Sequence, residues 1–451
     1  MKRGQWCSLK FKGNEAQFPH SMEYGNWAFL ISLIIHRRRL MQTNLINAGD
    51  TAWVLVSAAL VLLMTPALGF FYGGMVRRKN VLGILMQCMA CLALISVLWG
   101  IYGYSLAFGR GNWLFGSFDY FMLKGVGATP NPDYAKTIPQ AAFMLFQCMF
   151  AVITPAIIVG SYAERVKFSA FLLFTVLWLT FVYCPIAHMA WGVGGLFRNW
   201  GILDFAGGTV VEINCGVAGL VTALYLGRRI GISHPSLHNI PFVVLGAALL
   251  WFGWFGFNAG SALACNAVAV NAFLTTNTAA ATAMVGWAAV EWFLTGKPTL
   301  FGALTGAVAG LVAITPAAGF VDFTGAMIIG AVVSVLSFFA VGLLKQKFAY
   351  DDSLDAFGVH GVGGFWGMLA TGLLATKVVN PSAANGLILG NPQQFFIEAK
   401  CALITVAYCA VMTWLVCMVV DRIIRMRVSP EQEILGLDLS QHHERAYTIL
   451  D

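Results

Sequence analysis

Two ionisable side chains in apolar, glycine-rich surroundings carry the chemistry of this chain. Glu212 sits in DFAGGTVVEINCGVAGL, residues 204–220, and His360 in DDSLDAFGVHGVGGFWG, which begins at residue 351. The first stretch reads as a membrane helix opening on Asp204, which at about 1.5 Å per residue puts Glu212 roughly 12 Å along it. A hydrocarbon core is about 30 Å thick, and an ionised carboxylate cannot face lipid inside it. Glu212 therefore holds a proton, or faces a polar path or an internal partner. The plainer alternative is a helix-packing carboxyl with an internal hydrogen bond and Asn214 as its polar neighbour. His360 is flanked by Gly358, Gly361, Gly363 and Gly364, which let another helix come close to its ring. A neutral imidazole there donates through one nitrogen and accepts through the other, or makes a merely structural contact. Together the two form a proton-handling or cation-binding dyad, because burial disfavours two uncompensated charges.

Aromatic residues supply the rest of a cation route. Trp191 ends the segment AHMAWG, where an indole face attracts a small cation by about 0.5–2 kcal/mol or simply anchors an interface. Ser261, in WFGWFGFNAGSA, can accept a hydrogen bond from such a cation on the same side. Phe146 and Phe150 in FQCMF, with Phe257, are bulky enough to close a pore against hydrated ions, whose water is costly to strip. Packing alone accounts for any single one of them.

These residues need membrane helices to position them. Of 451 residues 59% are hydrophobic and only 10% charged, against about 25% in soluble domains. Lipid is the solvent for most of such a chain. The net charge of +7 comes from short basic clusters between apolar segments, which is a topology signal and calls for no nucleic acid. Eleven apolar segments fall near 52–74, 82–108, 139–161, 168–190, 204–227, 240–258, 264–294, 299–317, 323–344, 355–376 and 397–420. Their lengths predict an all-α bundle rather than a barrel. Basic residues concentrate on one side of it, at 77–79, 165–167, 228–229, 345–347 and 422–427, which predicts an external amino terminus and a cytoplasmic carboxyl terminus. Glu212 in the fifth segment and His360 in the tenth suggest an inverted five-plus-five repeat with one additional helix. Cys88 and Cys91 have no histidine partners and read as small core residues, so no metal or other cofactor is expected.

Residues 1–46 read as an extension of uncertain role, 47–427 as the membrane domain and 428–451 as a cytoplasmic tail. Trp27–Ile35 is too short to span, and Met41 offers a later start. In the tail, Glu431, Glu433, Asp438 and Glu444 are available to basic loops, or the tail is simply solvated.

Several stretches together resemble the ammonium transporter family (Amt/Mep/Rh), in its bacterial and archaeal branch. They are TPALGFFYGGMVRRKN from 65, FQCMFAVITPAIIVGSYAERVKFSA from 146, PIAHMAWGVGG from 185, DFAGGTVVEINCGVAGL from 204, WFGWFGFNAGSA from 251 and DDSLDAFGVHGVGG from 351; the likeness runs from Asn47 to Tyr447. The resemblance implies a homotrimer with one pathway per subunit. It implies that Trp191 and Ser261, with Phe146 nearby, recruit ammonium, that Phe150 and Phe257 form a gate, and that Asp204 supports the outer site by accepting amides such as those of Gly207 and Gly208. His360 matches the second of the family's paired pore histidines. The first is replaced by Glu212, an exchange similar to that in a subset of fungal transporters. For the tail, SPEQEILGLDLSQHHERAY from 429, the likeness implies communication between subunits and a PII-class regulatory partner. Electrogenic ammonium uptake, passive ammonia conduction and ammonium sensing are the competing functions; no P-loop or nucleophile elbow supports an enzyme.

Overall fold

The computed structural model describes residues 46–231 and 237–447 in full, with the backbone of residues 6–11 and 14–19. In the extension, β1 (Trp6–Phe11) and β2 (Asn14–Pro19) form an antiparallel hairpin that pairs Trp6 with Pro19 and Phe11 with Asn14. No strand is expected there from the sequence. The apolar run Trp27–Ile35 lies outside the described residues.

The rest is helical, because a chain in lipid must satisfy its backbone groups within each segment. Among the described residues ten helices are long and apolar enough to cross a membrane: α1 (Ala48–Met75), α2 (Arg78–Phe108), α3 (Gln140–Tyr162), α4 (Phe168–Trp200, with a turn at 192–195), α5 (Gly208–Leu226), α6 (Ile240–Ala262), α7 (Ala267–Thr295), α9 (Phe323–Phe348), α10 (Phe357–Leu374) and α11 (Pro392–Ile423). Between α7 and α9 lies the shorter α8 (Leu300–Ile314). Asn47, Asn239, Asn266, Thr299 and Asp322 accept amides at the starts of α1, α6, α7, α8 and α9. The eleven expected segments are thus present, with two informative differences. The eighth stops at Ile314 and continues as turns through Phe320, which is tolerable because this stretch is buried in protein, where Phe205 donates its amide to the Pro316 carbonyl. The fifth begins at Gly208 instead of Asp204, so Glu212 lies only about 6 Å into α5.

Packing repeats with a period of five. Contacts α1–α2, α1–α3, α2–α3, α2–α4 and α3–α5 recur as α6–α7, α6–α8, α7–α8, α7–α9 and α8–α10, while α1 meets α6 and α5 meets α10. The local geometry follows the same period in two of the helix pairs, although the π-helical turn at Trp99–Gly103 in α2 has no counterpart in α7. Wide π-helical turns interrupt α4 at Leu179–Tyr183 and α9 at Ala340–Leu344, and they open α5 at Gly208–Ile213 and α10 at Phe357–Gly361. Glu212 and His360 sit in this last equivalent pair.

The ends of α1, α3, α5, α9 and α11 share one face, where the basic clusters meet buried acids. Glu164 follows α3 with a positive φ of 73°. It accepts the Arg77 amide at 2.8 Å, the Asn80 amide group at 2.8 Å and Arg229 at 3.0 Å. Arg229 also forks onto Asp351, with Nη2 to Oδ1 at 2.8 Å. The tail is fastened to this network through α12 (Pro430–Leu435) and α13 (Leu437–His442). Asn80 accepts the Leu437 amide, Asp438 accepts the Gly83 amide at the start of α2, and buried Glu433 pairs with Arg427 at 3.0 Å. Of the four expected tail acids, Glu433 alone pairs with a basic side chain, Asp438 takes a backbone amide instead, and Glu431 and Glu444 are exposed.

Burial opposes the charges of Glu164 and Asp351, but the guanidinium groups outweigh it: Arg229 and Arg77 hold Glu164 below the usual carboxylate range, and Arg229 and Arg165 hold Asp351 at about 2. Glu164→Ala removes an acceptor shared by Arg77, Asn80 and Arg229, of which Arg229 keeps Asp351, and should cost about 1.5–3 kcal/mol in detergent melts, whereas exposed Glu431→Ala should change stability by less than about 0.5 kcal/mol. A carboxylate depressed in the folded state stabilises above its unfolded value and loses that contribution as pH falls through the folded one. The melting temperature should therefore drop between about pH 4 and pH 2.

Candidate functional site

The site begins in a cavity of about 270 Å³ at the face opposite the tail. It is lined by Trp191, Ser261, Asp204, Gln147, Phe143 and Arg198 among others. The Trp191 indole is oriented by donating to the Asp204 carbonyl at 3.1 Å, and its own carbonyl accepts Arg198 at 2.6 Å. The Ser261 hydroxyl donates to the Phe257 carbonyl at 2.8 Å, which leaves its oxygen free to accept. Gln147 Oε1 is buried without a hydrogen-bond partner, a further acceptor on this cavity. The sequence signal for it was its place one residue after Phe146, on the turn that carries Phe150.

Asp204 takes no part in lining by its charge alone. Its carboxylate accepts the amides of Gly207 at 2.9 Å, of Gly208, and of Thr209 at 2.7 Å, together with the Thr209 hydroxyl. Four donors at the start of α5 converge on it and fix where that helix begins. The two glycine amides agree with the sequence reading. Thr209 adds two donors that the reading did not include.

Beneath the cavity, Phe150 and Phe257 overlap with centroids 4.3 Å apart and close the way inward. Phe146 meets Phe150 edge-on at 4.9 Å and packs against Gly260. It is fully buried and is not among the side chains that line the outer cavity.

Below the phenylalanines lies a narrow lumen lined by Met64, Leu68, Ile153, Trp254, Val308 and Phe257, with Glu212 and His360 as its ionisable groups. His360 Nδ1 and Glu212 Oε2 are 2.8 Å apart. Two helices can bring these side chains together because they cross without side chains between them: a Cβ on Gly216 would fall 2.1 Å from the Gly361 amide, and one on Gly364 would fall 2.6 Å from the Glu212 Cβ. Glu212 Oε1 has no hydrogen-bond partner, and Asn214 bonds back to the Val210 carbonyl instead of to the acid. Cys215 lies one turn on, and its sulfur is within 4.8 Å of the Glu212 and His360 ligand atoms. Spacing along the chain gave no sign of this proximity, because His360 belongs to another helix.

A second narrow cavity continues from His360 past Tyr72 and Val359 to Asp355 on the tail side. Asp355 has a positive φ of 62° and pairs with Lys345 at 2.6 Å. Burial pushes its carboxyl up to about 6 against the pull of that lysine. Neither residue stood out in the sequence. The expected residues thus form one line: Trp191 and Ser261 at the outer cavity, Phe150 and Phe257 below them, then Glu212 with His360.

Known proteins share this arrangement of helices. The chain is 50% identical over 399 residues to an ammonium transporter of Bacillus subtilis, which covers 88% of this chain and 98% of that protein. It is 47% identical over 404 residues to the ammonium transporter Amt1 of Archaeoglobus fulgidus, 89% of this chain and 99% of that one. The crystal structure of Candida albicans Mep2 superposes with a TM-score of 0.83 at 35% identity, over 90% of this chain and 91% of that one. The family model described as Ammonium Transporter Family matches residues 52–447, and this chain belongs to that family.

Proposed function

We propose that this protein takes up ammonium across the cytoplasmic membrane, with the outer cavity external and the tail cytoplasmic. The observation that carries this reading is the Glu212–His360 pair, 2.8 Å apart and buried beneath overlapped phenylalanines in an otherwise apolar lumen. Ammonium is recruited against the Trp191 face and the Ser261 and Gln147 oxygens, all of which border one cavity. An intact ion would lose its hydration in the lumen without replacement, so it gives up a proton and crosses as neutral ammonia. Glu212 and His360 carry that proton separately, since each can donate or accept and together they avoid two isolated charges. Ammonia regains a proton on the tail side. Net transport is then electrogenic.

Phe150 and Phe257 are the gate in this scheme, Phe146 their support, and Asp204 the anchor that sets the outer cavity. Residues 47–427 form the membrane domain, 428–451 the cytoplasmic tail and 1–46 an extension. Family membership supports a homotrimer, and the fastened tail offers a surface where a PII-class regulator can act.

Purified protein in sealed proteoliposomes tests the scheme, with ammonium-triggered current and internal pH read together. Current in the wild type, weakened with an altered pH dependence in Glu212→Gln, is the expected result. Internal alkalinisation without current would mean conduction of neutral ammonia. Ammonium binding without either response would mean a sensor. Trp191→Ala should raise the half-saturating ammonium concentration about 2- to 30-fold, the value of a cation–π contact of about 0.5–2 kcal/mol, and leave the maximal current nearly intact. Trp191→Phe, which keeps a ring face, should fall between the two.

A further inference from the structure

The carboxylate of Glu212 is only half used. Oε2 meets His360, whereas Oε1 is fully buried with no hydrogen-bond partner. On the next turn of α5 the Cys215 thiol donates to the Glu212 carbonyl at 3.4 Å, so its sulfur is turned toward the same end of the helix. The carboxylate, sulfur and imidazole ligand atoms of Glu212, Cys215 and His360 all lie within 4.8 Å of one another. We infer that these three side chains form a binding site for a thiophilic divalent metal ion of the zinc type, and that its occupation blocks the pore.

The donor set and its charge both select this class of ion. Zinc takes thiolate sulfur at about 2.3 Å, and imidazole nitrogen and carboxylate oxygen at about 2.0–2.2 Å, in a tetrahedron. Those bond lengths put neighbouring ligand atoms about 3.5 Å apart, so small side-chain rotations suffice from the present spacing. The thiol loses its proton on binding. Glutamate and thiolate then contribute two negative charges against two positive, and the assembled site is neutral, as its apolar surroundings require. Magnesium and calcium prefer several oxygen ligands and gain little from a thiolate and an imidazole. Glu212 and His360 border the lumen beside Met64, Trp254 and Phe257, and a water from it would be the fourth ligand. Entry is from the tail side, since His360 also borders the cavity that leads to Asp355, while the outer route is closed by the phenylalanine pair.

A bound ion acts twice. It fills the lumen at its narrowest polar point, and it takes the Glu212 oxygen and the His360 nitrogen that otherwise share a hydrogen bond. This consequence rests on the pore reading above, whereas the existence of the site does not.

Cobalt(II), which is coloured where zinc is silent, is the probe. Titrated into purified full-length protein carrying Cys265→Ser, to remove the thiol exposed among the described residues, and Cys7→Ser, to remove that of the amino-terminal extension, it should produce a near-ultraviolet thiolate-to-cobalt charge-transfer band. The band should saturate at one ion per chain and be displaced by zinc. Adding Cys215→Ser should abolish it, and Glu212→Gln, which keeps the thiol, should weaken cobalt affinity by tenfold or more. In proteoliposomes loaded with chelator-buffered zinc, ammonium current should fall in the wild type, and Cys215→Ser should need at least tenfold more free zinc for the same loss while its zinc-free current is unchanged. A band that survives Cys215→Ser overturns the site. Equal zinc sensitivity of wild type and Cys215→Ser, or a saturated band with undiminished current, overturns the block. Absence of current in every sample would count against the pore reading alone, because the cobalt band is measured without transport.

Discussion

The structure depends on keeping a carboxyl group and an imidazole together in the middle of an apolar bundle. Neither Glu212 nor His360 could be held there alone as a charge, and at 2.8 Å each gives the other a polar partner. Their meeting requires α5 and α10 to touch at the backbone, which Gly216, Gly361 and Gly364 permit. It also requires both helices to begin inside the bundle, each with a wide π-helical turn carrying the ionisable residue. Asp204 secures one of these starts by gathering three amides and a hydroxyl. On the other side Asp352 accepts the Phe357 amide and secures the start of α10. Two carboxylates thus act as helix anchors so that a third can serve the lumen.

Around that pair, polar and apolar surfaces are divided by depth. Acceptor oxygens and an indole face border the outer cavity, a phenylalanine pair follows, and only then do the ionisable groups appear. This order separates the place where an ion can remain hydrated from the place where it cannot. The unpartnered oxygens of Gln147 and Glu212 lie on either side of the aromatic barrier. Leaving such groups unpaired costs about 1–3 kcal/mol each in an ordinary core, so their survival is consistent with ligands or water that visit them.

The tail-side face solves a different problem. Five helix ends and the tail are held there by buried or half-buried acids that join different segments: Glu164 joins the ends of α1 and α5, Asp351 joins Arg229 and, at 4.0 Å, Arg165, and Glu433 joins Arg427 and the Ile230 amide. Asn80 bridges Glu164 and Leu437 with its two polar atoms. Displacing the tail would therefore disturb the bonds that order the inner ends of the pore helices. That is a physical route from tail position to the lumen, without contact between them.

Much of this was legible in the sequence, because lipid imposes a simple rule on chain composition. Segment length and apolarity determined the eleven helices, and an acid and a histidine five segments apart marked the pore pair. The flanking glycines of His360 foretold a close helix crossing. The motifs around Phe150, Phe257, Trp191 and Ser261 marked the outer cavity and the aromatic pair beneath it. Other features depended on three-dimensional placement. The start of α5 moved to Gly208 because Asp204 spends its carboxylate on the amides that follow, a capping contact that hydrophobicity does not register. Phe146 packs edge-on against Phe150 and does not line the outer cavity. Asp355 reaches the inner cavity through a left-handed backbone, and Cys215 acquires ligand neighbours only when α10 arrives. Composition decides which segments enter the membrane, since each segment meets lipid by itself; which polar atoms face one another is decided by crossings between helices distant in the chain, and only the folded bundle contains that information.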